Sequence, residues 1–200
     1  RFNTDRSAAN PDMDKTTADY YAVQFDYAQD KWTGQAGYYL FKDYFKEKTI
    51  NLGDKTLSSA DFDTDELSLW NVGLGYKFDD NFKIAGNYAE NTKGEGYNTT
   101  GDFTVQGDES KAYSVELTYK GYDTKDPGSW DAFVAYRYLG AMVAIGPVYK
   151  GAWTDQKGIE FGVEFVPAEN VLATLKYFDG KDISTDQDAS KFFGQLELQF

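Results

Sequence analysis

The chain has no cysteine and no histidine. Without cysteine it can form no disulfide and no thiolate. Without histidine it lacks the usual general base and the commonest metal ligand, so Ser–His and His–Asp sites are excluded. Positive charge is scarce as well. Twenty Lys and Arg stand against 33 Asp and Glu, for a net charge of -13, which argues against a nucleic-acid partner because binding needs cations to neutralise phosphate. Long apolar runs are also missing: nothing approaches the roughly 18 residues of a membrane helix, and the mean hydropathy is -0.62. A hydropathy scan alone would read such a chain as water-soluble. That reading fails for a membrane β-barrel, whose apolar signal is spread over alternate positions.

Aromatic residues, by contrast, are plentiful, with 16 Tyr and 15 Phe; a disordered acidic chain would have few. They fall into alternating stretches, which is the pattern of half-apolar strands. Tyr21, Val23, Phe25 and Tyr27 share a face, as do Trp70, Val72, Leu74 and Tyr76. Similar sets run through 32–40, 82–88, 113–119, 130–138, 159–165 and 171–177. The last stretch puts Phe192, Gly194, Leu196, Leu198 and Phe200 opposite Phe193, Gln195, Glu197 and Gln199.

The connections alternate too. Short ones fall at Asp30-Lys31, 79–81, 122–129 and 167–170, and long polar ones at 6–18, 44–66, 93–110, 140–156 and 182–190. Up-and-down membrane barrels produce this short/long alternation, whereas Greek-key sandwiches have no reason to. On the apolar face, aromatics stand beside the short turns: Tyr27, Trp32, Phe78, Phe82, Tyr119, Trp130, Phe165 and Phe200. A second set stands toward the long loops, with aliphatic residues between. Two such girdles are expected where rings sit at both bilayer interfaces.

The opposite face carries Asp26, Lys77, Lys83, Glu116, Lys120, Asp131, Arg137, Glu160, Glu164, Lys176 and Glu197, interspersed with Gly and Ala. In a small filled barrel these charges would have to pair tightly; in a wide barrel they line water. The expected fold class is therefore all-β, an antiparallel up-and-down transmembrane β-barrel of about ten strands over residues 1–200. Arg1–Arg6 reads as the end of a further strand, and the expectation is the C-terminal portion of a porin of about 16 strands, the size that leaves an aqueous channel.

The final strand, Lys191 to Phe200, resembles the C-terminal strand of bacterial outer-membrane β-barrel proteins. That resemblance implies that Phe192, Leu196, Leu198 and Phe200 act as a signal to the barrel-insertion machinery. The run Gly158-Ile-Glu-Phe-Gly-Val-Glu-Phe-Val-Pro-Ala-Glu-Asn-Val-Leu-Ala-Thr-Leu-Lys-Tyr-Phe-Asp-Gly-Lys-Asp182, with Asp188-Ala-Ser-Lys-Phe-Phe-Gly194, resembles the end of porins that carry an N-terminal S-layer-homology anchor domain. It implies a homotrimeric diffusion porin in the lipid of the bacterial outer membrane, tied to the cell wall through an anchor domain that these residues do not include.

No catalytic residue is expected. Glu160 and Glu164 lie four apart on one strand, roughly 13 Å by strand rise, too far for glycosidase work. Asp61, Asp63 and Asp65 imitate the start of a calcium loop, but Glu66 replaces the required Gly and Val72 stands at the twelfth position. A solvated acidic loop is the better reading, with no cofactor and no metal. The apolar stretch 141–147 has two readings, packing on a neighbouring subunit or folding over the rim.

The function expected is passive diffusion of small hydrophilic solutes and ions, with a slight cation preference. Glu116, Arg137, Glu160, Glu164, Lys176 and Glu197 are expected at mid-lumen. One alternative is a substrate-specific channel, for example for sugars, with Tyr39, Phe133, Phe178 and Phe193 as an aromatic slide. Another is a non-conducting structural barrel that tethers the outer membrane to the wall.

Overall fold

The computed structural model describes residues 2–3, 17–43, 50–52, 55–57, 66–93, 99–100, 103–104, 108–143 and 151–199. The described residues contain no helix. Nine long strands form one antiparallel sheet: β1 (Tyr20–Gln29), β2 (Trp32–Phe41), β3 (Leu67–Lys77), β4 (Phe82–Asn91), β5 (Lys111–Gly121), β6 (Trp130–Leu139), β7 (Gln156–Ala168), β8 (Val171–Asp182) and β9 (Asp188–Leu198). Each strand pairs only with its sequence neighbours, an up-and-down order. Three two-stranded pairs accompany the sheet: Phe2–Asn3 with Thr17–Ala18, Ile50–Leu52 with Lys55–Leu57, and Thr99–Thr100 with Phe103–Thr104.

Each short connection has its own chemistry. Asp30 takes a positive φ of 51°, which a two-residue hairpin needs and which Asp tolerates better than most side chains. Between β3 and β4, the Asp79 carboxylate accepts the amides of Asn81 and Phe82 at 2.7 and 2.8 Å. Those two bonds hold its pKa below the usual aspartate range. Between β5 and β6, Ser129 Oγ accepts the Asp123 amide and donates within the same turn.

Two boundaries differ from the expected ones. The connection at 182–190 shrinks to 183–187, because β8 and β9 continue as a hairpin with Lys181 opposite Asp188. The turn at 167–170 shrinks to Glu169–Asn170, because β7 runs through Pro167 by way of a register shift between Phe165 and Ala168. Proline lacks the N–H that a regular ladder requires, and such a shift accommodates it.

The two faces are covered in the reverse of a soluble domain. On β6, Asp131, Phe133, Ala135, Arg137 and Leu139 are buried, while Val134 and Tyr136 on the other face are exposed. Phe25, Phe161, Leu175, Phe192 and Leu196 are more exposed than not. The sheet is open, with no ladder between β1 and β9 among the described residues. In nine alternating strands the first and last run the same way, so pairing those two directly would be parallel, not antiparallel.

Candidate functional site on the polar face

Register brings the polar-face side chains together. Arg137 on β6 stands two residues out of register from Glu160 on β7 and from Glu116 on β5. Its Nε and Nη2 donate to Glu160 Oε2 at 3.0 and 2.8 Å. The same Nη2 donates to Glu116 Oε2 at 2.7 Å. Arg137 and Glu160 are almost fully buried, whereas Glu116 keeps about a third of its side chain open, at 30%. Two carboxylates thus share one guanidinium, and the outer one still faces the open side of the sheet.

Beside this trio lies a concavity of about 440 Å³, lined by Lys83, Asp131, Glu164, Lys176, Glu197 and Tyr122 among others. Asp131 and Glu164 are direct cross-strand partners, two like charges face to face. Cross-strand like charges are unfavourable, and Asp131 Oδ1 has no donor among the described residues. Thr174 Oγ1 donates to Glu164 at 3.5 Å, and the Gln195 and Gln199 amides donate to Glu197. Lys176 Nζ stands 5.0 Å above the Phe133 ring, a cation–π placement. Phe133 itself fills the space over Gly162, where a Cβ would collide with its ring.

The remaining expected wall residues lie apart from this group. Asp26 is near one edge of the sheet, held by Gln24 Nε2 at 2.9 Å. Lys77 pairs with Asp80 in the short turn at 3.0 Å and faces Lys83 in register. Lys120 leaves the set. Its φ is +64° at the end of β5, and its Nζ sits 4.5 Å from the Trp130 ring centroid, among the aromatics of the other face. Alternation alone could not foresee that, because it assumes an extended backbone at every position.

Five of the aromatics expected beside the short turns fall in two groups of ring contacts: Trp32 and Phe78 each against Tyr76, at 4.5 and 5.1 Å, and Phe82 and Trp130 each against Tyr119, at 4.9 and 5.9 Å. Tyr27 and Phe165 are exposed on the same face, as are Phe192, Leu196 and Leu198. Phe200 and the acidic stretch Asp61, Asp63 and Asp65 lie outside the described residues.

A loop segment covers part of the polar face, and it was not foreseen. After β6 the chain turns inward. Met142 and Val143 pack on Leu67 and Leu69, with Tyr39, Phe41 and Ala89 around them. The chain returns through Gly151 and Ala152. Ala152 packs on Leu139 and Phe178, and Gly151 lies so close over the Glu160 carboxylate that a Cβ there would collide with it. Of the apolar stretch 141–147, residues 141–143 therefore lie against the chain's own polar face. The small apolar patch at the long-loop end of that face explains the choice, since it leaves these side chains an apolar partner without a second subunit.

Two buried carboxyls fasten this segment. Glu109 Oε2 accepts the Ala141 amide at 2.6 Å. Asp155 accepts the Ser184 amide at 2.8 Å and the Ser184 hydroxyl at 2.6 Å. Burial, and after it the neighbouring Asp155 carboxyl, pushes the Glu109 pKa up to about 9. In the sequence both acids look like ordinary loop charges. No motif could have singled them out.

Protein-family models give no match to this chain, and curated proteins give none.

Proposed function

We propose that the chain is part of an outer-membrane porin, a passive channel for small hydrophilic solutes and ions. The observation that carries this reading is the inversion of the two faces. Large apolar side chains from all nine strands lie exposed on one side. Charges and amides gather on the other. An apolar surface of that extent needs an apolar covering, and rings at its borders match the two interfaces of a bilayer. The concavity flanked by Lys83, Glu116, Asp131, Glu164, Lys176 and Glu197 is then one sector of the lumen wall. With Arg137 also lining it, four acids stand against three cations, a slight excess that favours cations.

Closure into an antiparallel barrel needs an odd number of strands beyond the nine. Phe2–Asn3, antiparallel to Thr17–Ala18, supplies a stub of one, and a barrel of about 16 strands needs more. Trimer formation and anchorage to the wall rest on the resemblance of residues 158–182 and 188–194 alone, and the insertion signal on that of Lys191–Phe200.

One observation favours a second reading. The inward segment at 141–143 and 151–155 occupies the polar side and lies over the Glu160 carboxylate at Gly151, as the filling of a plugged structural barrel would. The aromatic slide of a sugar channel has less support, because Phe178 is covered by Ala152 and Phe133 by Lys176.

The deciding experiment is single-channel conductance of the detergent-purified full-length protein in a planar bilayer, with intact mass from the same sample. Steps in multiples of three are expected. Absence of any step from folded protein would overturn the channel and leave the plugged barrel.

A further inference from the structure

Asp131 and Glu164 stand opposite each other in the β6–β7 ladder, on the polar face. Side chains at such positions leave the sheet with Cβ atoms about 4.5–5.5 Å apart, close enough to share one partner. Both acids line the concavity of about 440 Å³. Asp131 is only 4% exposed, and its Oδ1 meets no donor among the described residues. Glu164 accepts Thr174 Oγ1 at 3.5 Å, a long bond and its only one among the described residues. A buried carboxylate oxygen without a donor is costly, and such orphans call for an explanation. At the wall of a hollow, the simplest is a donor that comes from outside the chain.

The same strands show what fits such a pair. Further along β6, Arg137 sets one guanidinium between carboxylates of the two neighbouring strands, Glu160 at 2.8 Å and Glu116 at 2.7 Å. Asp131 and Glu164 repeat the carboxylate half of that arrangement and lack the guanidinium. The lysines of the hollow do not replace it. Lys176 Nζ is set over the Phe133 ring, and no ion pair joins Lys83 or Lys176 to either acid among the described residues. With Arg137 taken by two acids, Asp131, Glu164 and Glu197 face only these two lysines, so the hollow is one cation short of balance. A metal ion is the poorer occupant, since no three acidic ligands converge among the described residues. Tyr122 and Phe133 line the same hollow, and a guanidinium is planar, weakly hydrated and stacks on rings.

We propose that Asp131 and Glu164 form a binding site for the guanidinium group of a small solute. The two carboxylates share its N–H fork as Glu160 and Glu116 share that of Arg137, and the remainder of the solute lies in the hollow toward Glu197. This deepens the porin reading and rests on it for any role in passage, while binding itself rests on the carboxylate pair. In a conducting lumen, a solute held at this wall obstructs smaller cations for as long as it stays.

The probe is methylguanidinium, added to the detergent-folded full-length protein at constant ionic strength. Saturation transfer to its methyl protons, in deuterated detergent, reads binding without any current. A curve that saturates is expected. Tetramethylammonium should fail to compete, because it carries the same charge and no N–H. That comparison uses the unsubstituted protein, so it stands even where a variant does not fold. Asp131→Asn and Glu164→Gln should each weaken binding by about tenfold or more, since each removes a charge-assisted bond. A signal linear in concentration, equal displacement by tetramethylammonium, or unchanged affinity in both folded variants overturns the site. Equal binding of methylammonium overturns its assignment to guanidinium. Potassium current in a planar bilayer is read separately. Block that follows the binding curve supports a site in the lumen. Saturable binding without any current keeps the site and removes the porin reading, and current without saturable binding does the reverse.

Discussion

Arg137 and Glu160 make two hydrogen bonds across β6 and β7, and both side chains are almost fully buried. A charge pair in that position is fragile to one-sided change. Removing one partner strands the other in a medium that cannot solvate it, a penalty of about 3–5 kcal/mol, whereas replacing both with apolar groups is often neutral or better. Arg137→Met should therefore lower the urea midpoint of the detergent-folded protein strongly, with Glu160 and Glu116 both left uncompensated. Arg137→Met combined with Glu160→Leu should recover most of the loss. Equal midpoints for the single and double variants would show that the pair carries no such coupling.

Selectivity should separate Glu164 from Glu160, although both lie on the polar face of β7. Glu164 lines the open concavity opposite Asp131. Glu160 lies under Gly151 with its charge already met by Arg137. Glu164→Gln is expected to shift the reversal potential in a salt gradient toward lower cation preference. Glu160→Gln should leave it nearly unchanged while lowering stability. Equal shifts from both would mean that the covering segment does not exclude ions from Glu160.

Gly151 gives the sharpest steric test of that cover. A Cβ at this position meets the Glu160 carboxylate, whose own place is fixed by Arg137. Overpacking of this kind costs about 1–3 kcal/mol. Gly151→Ala should lower the urea midpoint and raise single-channel conductance, because the segment has more freedom to yield than the strand pair beneath it. Unchanged conductance with lowered stability would place the yielding part in the ion pair instead.

The strands and their facing were legible because they rest on a local rule. Alternation has a period of two, so Trp70, Val72 and Leu74 declare one face and Asn71, Gly73 and Gly75 the other without any knowledge of partners. The trio of Glu116, Arg137 and Glu160 was legible only as three charges on one face. Their convergence depends on register between strands, which the sequence does not display. Lys120 was misplaced because a positive φ breaks the alternation at a single residue. Glu109, Asp155 and the inward turn of Met142 were hidden for a stronger reason: each acquires its role from residues more than 25 positions away, and nothing in a loop's composition records such a contact.

The acidic turn between β8 and β9 should respond to pH in the sense opposite to Glu109. Asp186 accepts from Lys181 at 3.0 Å with Lys157 at 3.6 Å, and the first of these bonds is the main reason its pKa falls below 3.8. A depressed pKa means that the folded turn favours the ionised form. Its contribution is complete above the ordinary aspartate range and is lost as pH falls through the folded value. Because the group is exposed and salt screens it, the effect is local. Exchange of the Asp182 and Asp186 amides, which bond Gln187 O and Asp182 O, should quicken relative to intrinsic rates between pH 5 and about pH 3. Asp186→Asn should remove that pH dependence while leaving the slow exchange of β7 amides untouched. A turn that loosens identically in Asp186→Asn would instead assign the acid response to Asp182 or Asp188, the neighbouring carboxylates.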